Sequence, residues 1–129
     1  MGAGGAMIAG IGVDVVDIAR FERSIERTPR LIERLFAESE RDRPARSLAA
    51  RFAAKEALIK ALGGHSVLRW HDMRVVQNDD GDPGFALSGK LARHVEGLGI
   101  DRVHLSMSHD AGIASAFVVL ERLGGQVAP

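Results

Sequence analysis

The feature that most constrains the fold is an alanine-rich segment between Leu48 and Leu62, with the sequence LAARFAAKEALIKAL. Its small apolar residues recur at helical spacing and cover an arc of roughly 140° on one side of a helix, a pattern typical of close packing against another element. Ser47 is a suitable N-cap residue, and the pair Gly63-Gly64 is a signal that ends helices. The sequence therefore predicts one long, buried helix from Ser47 to Leu62.

Charged residues on the other side of this helix are interleaved with large apolar ones. They are Arg51, Lys55, Glu56 and Lys60. A charge is costly to bury unless a partner neutralises it. One interpretation is an i,i+4 ion pair between Glu56 and Lys60, with the aliphatic stems lying over the core. The other is that one carboxylate and three cations on a rigid helix meet an anionic ligand and a cation.

The segment before this helix alternates between strand and helix patterns. An apolar run at Met7–Val13 predicts a buried strand that ends before Asp14. Asp17 is a suitable N-cap for a following helix, and Pro29 can open a further short one. The charge-dense stretch Glu38–Arg46 contains a proline and is predicted to be an exposed connection.

The segment after the long helix is richer in strands. Strands are predicted at Arg74–Gln77 and Gly84–Leu87, on either side of a strong turn signal, and Ser88 is a suitable cap for a helix. Val103–Met107 alternates between apolar and polar residues, as in a half-buried strand, and Ile113–Leu120 is a final apolar strand. The order β–α–α–α–β–β–α–β–β predicts a single α+β domain, with a mainly antiparallel sheet packed against one long buried helix and shorter helices.

Composition excludes several classes of protein. The chain has 129 residues, which suits one domain, and no cysteine, which excludes a disulfide scaffold, a thiol nucleophile and a cysteine-ligated metal site. Seventeen basic residues balance 17 acidic ones, which argues against a general nucleic-acid binder. No apolar run reaches the roughly 18 residues of a membrane span. We expect a flexible extension at residues 1–6, one domain at 7–121, a tail at 122–129, and a cytoplasmic location.

Asp14 and Glu56 are candidate metal ligands. Asp14 either caps the next helix, a role for which Asp17 competes, or converges with Glu56. If the two carboxylates converge, they supply hard oxygen ligands and leave positions for water and substrate phosphates, which suits Mg²⁺.

The segment HLSMSHD places His104, Ser106 and Ser108 on one face of a strand, with His109 and Asp110 at its end. A Ser/His/Asp grouping is typical of some hydrolases. However, adjacent strand residues point to opposite faces, and the chain lacks the G-x-S-x-G elbow. A catalytic triad is therefore not predicted.

Arginines recur at steps of three and four residues near the start of the chain: Arg20, Arg23, Arg27, Arg30 and Arg34. One interpretation is a solvated helical face balanced by neighbouring glutamates. The other is a docking stripe for an acidic helical partner, since arginine suits bidentate contacts with carboxylates. Pro29 is expected to interrupt the helix, so the arginines need not form one line.

Three motifs, in this order, resemble the holo-[acyl-carrier-protein] synthases, the short bacterial type of 4′-phosphopantetheinyl transferase. They are GIGVD at Gly10–Asp14, RFAAKEAxxKAxG at Arg51–Gly63 and HxSxSH at His104–His109, and the similarity extends from about Met7 to Glu121. The resemblance implies the fold of that family and transfer of 4′-phosphopantetheine from coenzyme A to a serine of acyl carrier protein, with release of adenosine 3′,5′-bisphosphate.

The resemblance also implies roles for individual residues. Asp14 and Glu56 would bind Mg²⁺, and Lys60 would neutralise charge on the pyrophosphate. Arg51, with Ser108 and His109 of a neighbouring subunit, would hold the nucleotide end of coenzyme A. Carried over in full, the catalytic residues are Glu56, Lys60, His109 and Asp110, and the coenzyme A-binding residues are Arg51, Lys55, Lys60, Gly63, Ser108 and His109.

For the carrier protein, the resemblance implies docking of its acidic helix on Arg20, Arg27 and Arg30. Members of the family form homotrimers with active sites between subunits, which would explain how a small chain builds a site for two substrates. The connection from Glu40 to Arg51 is shorter than is usual in the family.

The base that takes the serine proton stays open among Glu56, a metal-bound water, and Asp110 acting with His109, and we favour Glu56 or a water that it orients. Two other functions also stay open. A small metal-dependent phosphohydrolase could use the same Asp, Glu and Lys set, and a non-catalytic module could bind acidic helices through the arginines.

Overall fold

The computed structural model describes residues 5–64 and 69–124. Its helices and strands follow the predicted order. They are β1 (Met7–Asp17), α1 (Ile18–Arg27), α2 (Arg30–Leu35), α3 (Ala45–Ala61), β2 (Met73–Gln77), β3 (Pro83–Leu87), α4 (Gly89–Gly97), β4 (Arg102–Asp110) and β5 (Ile113–Arg122). Short 3₁₀ turns at Glu38–Glu40 and Trp70–Asp72 lie before and after α3.

The strands in the described residues pair in two antiparallel groups. β1, β5 and β4 lie side by side in that order, and β2 pairs with β3 in a separate hairpin. The side chains of Val13 and its partner Phe117 lie on the outer face of the larger sheet, whereas Asp14 and its partner Ala116 lie on the inner face. The prediction of an α+β domain with a mainly antiparallel sheet is confirmed.

Helix α3 packs against the inner face of this sheet. Its alanines are buried, and Leu58 is packed in one core cluster with Val118 and Leu120 of β5. Two glycines of β1 allow the close approach, because a Cβ at Gly10 or Gly12 would collide with carbonyl oxygens of α3. The small residues of both elements therefore bring the backbone of the helix directly onto β1.

Two helix starts test the capping predictions. Asp17 is the N-cap of α1, as predicted, and its Oδ1 accepts a hydrogen bond of 2.9 Å from the amide of Arg20. Ser47 is not the cap of α3, because the helix begins at Ala45, directly after Pro44. Pro44 is itself the N-cap, with an extended ψ of 153°, and its carbonyl accepts from the amides of Ser47 and Leu48, so Ser47 already lies inside the first turn.

Strand β1 is longer than predicted. It continues to Asp17, so Asp14 lies within the strand, paired with Ala116, and not beyond its end. The polar side chain of Asp14 does not interrupt pairing, because strand pairing uses only the backbone. β5 likewise extends to Arg122, one residue into the segment that was predicted to be a tail.

The connection before α3 is only partly exposed, contrary to the prediction for Glu38–Arg46. Glu40 is 1% exposed, because Lys55 and backbone amides satisfy its carboxylate inside the domain. Residues 1–4 of the predicted extension and 125–129 of the predicted tail lie outside the described residues. Within residues 5–64 and 69–124, no helix is long and apolar enough to cross a membrane.

Candidate active site

Strand β1 and helix α3 bring three of the predicted site residues together. Asp14 points from the inner face of β1 towards α3, where Lys60 donates to its Oδ1 at 2.8 Å and to the carbonyl of Val13 at 3.1 Å. The sequence had left open an ion pair between Lys60 and Glu56. The structure instead pairs Lys60 with Asp14, because Gly12 lets the helix lie directly over this strand.

Glu56 lies about one helical turn before Lys60, on the same side of α3. Burial raises the pKa of Glu56, the negative charge of Asp14 raises it further, and Lys60 lowers it. The hydrogen bond to Asp14 raises the pKa of Lys60. The site therefore holds two carboxylates that repel each other beside one ammonium. A further cation between the carboxylates would reduce this repulsion.

A cavity of about 530 Å³ lies beside these carboxylates. Asp14 and Glu56 line it together with Arg20, and Phe21 and Phe52 form an apolar wall. The two rings stack with their centroids 5.6 Å apart. The cavity can therefore hold a phosphate-bearing ligand beside the carboxylates and an apolar group against the two rings.

The donor set fits Mg²⁺. Mg²⁺ is commonly held by one or two carboxylates and completes its shell with water and substrate phosphates. Asp14 and Glu56 supply that number of hard oxygen ligands, and the adjoining cavity leaves space for the rest. Among the described residues, no group of three or more His, Cys, Asp or Glu side chains converges to hold a metal, so a zinc-type site is not formed there.

A second cavity, of about 190 Å³, lies between the start of α3 and the end of β4. Arg51, Ser108 and His109 line it within one chain, whereas the resemblance had implied that Ser108 and His109 come from a neighbouring subunit. Arg43 and Arg46 also line this cavity. The sequence analysis missed both, although the basic character of the segment before α3 is a usable signal.

Lys55 does not contribute to either cavity. Its side chain is fully buried, and its Nζ donates to Glu40 Oε1 at 2.7 Å and to the carbonyls of Leu35 and Trp70 at 2.7 and 3.3 Å. The ammonium also lies 5.0 Å from the centroid of the Phe36 ring. The expectation of a coenzyme A contact at Lys55 is therefore corrected, because every donor direction of the ammonium has a partner inside the protein.

Other predicted site residues lie apart from the carboxylates. Gly63 is exposed and adopts a φ of 90°, which ends α3 just after Lys60. His109 and Asp110 are exposed at the end of β4, and Asp110 is not among the residues that line either cavity described above. The arginines of the proposed stripe are divided between two helices, with Arg20 and Arg27 on α1 and Arg30 opening α2.

Comparisons with known proteins agree with the arrangement of these motifs. The sequence profile of the 4′-phosphopantetheinyl transferase superfamily matches residues 10–114. The holo-[acyl-carrier-protein] synthase of Clavibacter michiganensis is 65% identical over 115 residues, which cover 89% of this chain and 97% of that protein.

Solved structures of holo-[acyl-carrier-protein] synthases also match this chain over most of its length. The crystal structure of the Neisseria meningitidis holo-[acyl-carrier-protein] synthase matches with a TM-score of 0.82 at 33% identity, covering 88% of this chain and 98% of that one. That of the Helicobacter pylori enzyme in complex with coenzyme A matches with a TM-score of 0.75 at 34% identity, covering 85% and 98%. The chain belongs to the holo-[acyl-carrier-protein] synthase family of 4′-phosphopantetheinyl transferases.

Proposed function

We propose that this protein transfers 4′-phosphopantetheine from coenzyme A to a serine of acyl carrier protein and releases adenosine 3′,5′-bisphosphate. The observation that carries the proposal is the meeting of Asp14, Glu56 and Lys60 beside a cavity of about 530 Å³, on the motifs that this family shares. The proposal places the reaction in the cytoplasm, in agreement with the absence of cysteine, and the carrier served is one of fatty acid or polyketide biosynthesis.

The reaction is a substitution at phosphorus. The serine oxygen attacks the β-phosphorus of coenzyme A, the bond from that phosphorus to the bridging oxygen breaks, and the bridging oxygen leaves on adenosine 3′,5′-bisphosphate. Little covalent chemistry is required of the protein, so positioning and stabilisation of charge dominate. Lys60, more than half exposed, is placed to neutralise charge on the pyrophosphate oxygens as it builds.

We infer that Asp14 and Glu56 hold Mg²⁺. When bound, the metal would supply positive charge to the pyrophosphate oxygens of coenzyme A. The surroundings of Glu56 support this placement: burial and then the charge of Asp14 raise its pKa, and a cation between the two carboxylates would favour the ionised form.

The serine proton requires an acceptor. Glu56, or a water that it orients, is the acceptor that we favour, because its carboxylate faces the same cavity as Asp14. Asp110 acting with His109 is the alternative, and the exposure of both at the end of β4 gives no contact that favours it.

The nucleotide end of coenzyme A is assigned to the second cavity. Arg51 lines that cavity, beside Ser108 and His109. Arg43 and Arg46 add positive charge that suits a phosphate. Gly63 follows the opposite end of α3 and stays proposed as a contact of coenzyme A, whereas Lys55 is left out because it is buried.

The acidic helix of the carrier protein is assigned to the arginines of α1 and α2. Arg20 lines the carboxylate cavity, so a carrier docked on it would present its serine near Glu56. Arg27 and Arg30 are exposed and extend the positive surface away from the cavity. This placement links partner recognition to the position of the reacting serine.

We further propose a homotrimer in which neighbouring subunits complete each active site. The outer face of the larger sheet carries exposed apolar side chains, with Ile11 at 53%, Val15 at 61% and Phe117 at 47% exposure. Within one chain, the carboxylates and Arg51 line different cavities. Contact between copies through this face would cover the apolar side chains.

Release of adenosine 3′,5′-bisphosphate tests the function. The protein is incubated with coenzyme A and Mg²⁺, with and without apo acyl carrier protein, and the nucleotide products are separated by chromatography. Product that requires the carrier supports the transferase. Consumption of coenzyme A without carrier would indicate the phosphohydrolase instead, and carrier binding with no product would indicate a non-catalytic module.

A further inference from the structure

A cluster of buried charges lies behind the second cavity, and the proposed reaction does not use all of it. Glu40 is 1% exposed, Arg51 3% and Lys55 0%. Side chains this deeply buried are ionised only when partners compensate the loss of water. Their contacts therefore indicate what the cluster holds in place.

The two carboxylate oxygens of Glu40 have different partners. Oε1 accepts from Lys55 Nζ at 2.7 Å and from the amide of Ala37 at 2.9 Å. Oε2 accepts from the amide of Val75 at 3.0 Å and lies 3.7 Å from Nη1 of Arg51. One oxygen therefore holds the lysine, and the other faces the arginine.

Arg51 is held from two sides by Glu40 and β2. Its Nη1 donates to the carbonyl of Val75, the same residue whose amide donates to Glu40. Two cations are buried among the described residues, Arg51 and Lys55. Arg51 lines the second cavity, and Lys55 does not. Glu40 and Val75 are joined by a hydrogen bond, and together they hold the guanidinium of a residue that lines the second cavity.

The surroundings of Arg51 disfavour the positive charge of its guanidinium. Burial lowers its pKa, the positive charge of Arg43 lowers it further, and Glu40 raises it. Without the carboxylate, a buried guanidinium would be left among like charges and would gain by turning towards solvent.

We propose that Glu40 is a positioning residue for coenzyme A binding, which holds the Arg51 guanidinium in the wall of the second cavity against the repulsion of Arg43. The inference rests on the proposed function, because it takes the nucleotide end of coenzyme A as the ligand of that cavity. Glu40 does not touch the ligand and acts only through Arg51.

The test compares two variants of the same cluster. Glu40→Gln keeps the shape of the side chain and removes the charge that faces Arg51, whereas Lys55→Met disrupts the other half of the cluster and leaves Oε2 beside Arg51. Both variants are expected to lower the thermal midpoint. The dissociation constant for coenzyme A, measured by calorimetry, is expected to rise about tenfold in Glu40→Gln and to stay within about twofold in Lys55→Met. Equal weakening in both variants would mean that the cluster is merely structural and would overturn the proposal.

A double-mutant cycle tests whether Glu40 acts through Arg51. Arg51→Ala is expected to weaken coenzyme A binding, and adding Glu40→Gln to it is expected to weaken binding no further. Additive losses would contradict the proposal, as would unchanged binding in Arg51→Ala. If Glu40→Gln does not fold, Glu40→Asp takes its place, since the shorter side chain cannot reach Lys55 and Val75 together.

Binding and transfer are measured separately, so the two proposals fail differently. A wild-type protein that binds coenzyme A but modifies no carrier contradicts the proposed function, while the calorimetric comparison still decides the role of Glu40. A wild-type protein that transfers phosphopantetheine, with Glu40→Gln unchanged in coenzyme A affinity, contradicts only the role of Glu40. A wild-type protein that neither binds coenzyme A nor modifies a carrier overturns both.

Discussion

Burial raises the pKa of Glu56, and the charge of Asp14 raises it further. A carboxyl with a raised pKa in the folded state holds its proton more tightly there than in the unfolded chain. At pH values above both pKa values its charge therefore destabilises the fold, and this cost disappears as the pH falls and the group takes up its proton. Because the charge of Glu56 lowers the stability of the fold, we explain its presence by the binding of a cation.

The first prediction concerns Glu56→Gln. The uncharged amide removes the repulsion with Asp14, so the thermal midpoint at neutral pH is expected to equal or exceed that of the wild type. Transfer is expected to fall by at least about 100-fold, as for the loss of a group that stabilises the transition state. Calorimetry from neutral to acid pH, together with a transfer assay, measures both.

The advantage in thermal midpoint is expected to shrink as the pH falls and the wild-type carboxyl becomes neutral as well. Glu22→Gln, on the exposed surface of α1, is the control and is expected to change neither quantity. Near-normal transfer in Glu56→Gln, or a midpoint below that of the wild type at every pH, would contradict this account.

At the scale of elements, the contact between β1 and α3 sets the geometry of the site. Gly10 and Gly12 face carbonyl oxygens of α3 at distances that leave no room for a side chain. The helix therefore lies close enough for Lys60 to bond Asp14 at 2.8 Å. The glycines of the GIGVD motif thus act on the site through packing.

The second prediction is that Gly12→Ala separates these two elements. The added methyl group collides with backbone, which cannot move as a flexible side chain can, and the expected loss of stability is about 1–3 kcal/mol. Transfer is expected to fall because Lys60 moves away from Asp14. Gly84→Ala on β3 is the matched control, since its Cβ meets nothing within 4 Å. Equal stability and activity in the two variants would contradict this role of Gly12.

The third prediction concerns docking on α1. Replacing both Arg20 and Arg27 by Glu is expected to weaken binding of acyl carrier protein by at least about tenfold and to leave the affinity for coenzyme A little changed. Binding of the carrier to the wild type is expected to weaken with added salt. Replacing both Lys90 and Arg93 of α4 by Glu is the control, because it changes the net charge equally on another exposed surface. Docking on α1 would be refuted by carrier binding that is insensitive both to salt and to the α1 substitutions.

The sequence predicted elements well where one side of the element is buried. The alanine arc of α3 and the alternation in β4 repeat with the period of their elements, so both elements could be identified without tertiary information. The burial of Glu40 could not be predicted, because it depends on partners distant in sequence. Lys55 and Val75 lie 15 and 35 residues from Glu40, and no local sequence pattern predicts contacts over these separations.

At the scale of the molecule, the outer face of the larger sheet carries apolar side chains that one chain leaves exposed. Val13 is 48% exposed and lies directly opposite Phe117, which is 47% exposed. Apolar side chains that adjoin in this way mark an interaction surface more often than a free one. That the carboxylates and Arg51 line two different cavities could be seen only in the folded structure.

The fourth prediction is that Phe117→Glu prevents assembly. A charge in the centre of an apolar contact is costly to desolvate, so sedimentation is expected to show monomers where the wild type forms trimers, with transfer reduced at least about tenfold. Val76→Glu is the control, because Val76 is 38% exposed on β2, away from this face. Monomeric wild-type protein with full activity would contradict the proposed assembly.

The most direct measurement of the central claim is the intact mass of acyl carrier protein after incubation with this enzyme, coenzyme A and Mg²⁺. The account predicts a gain of about 340 Da, one phosphopantetheine joined through a phosphodiester. The gain is expected to be absent when the carrier's reactive serine is replaced by alanine and when the enzyme carries Glu56→Gln. An unchanged carrier mass with folded wild-type enzyme and all substrates present would contradict the account.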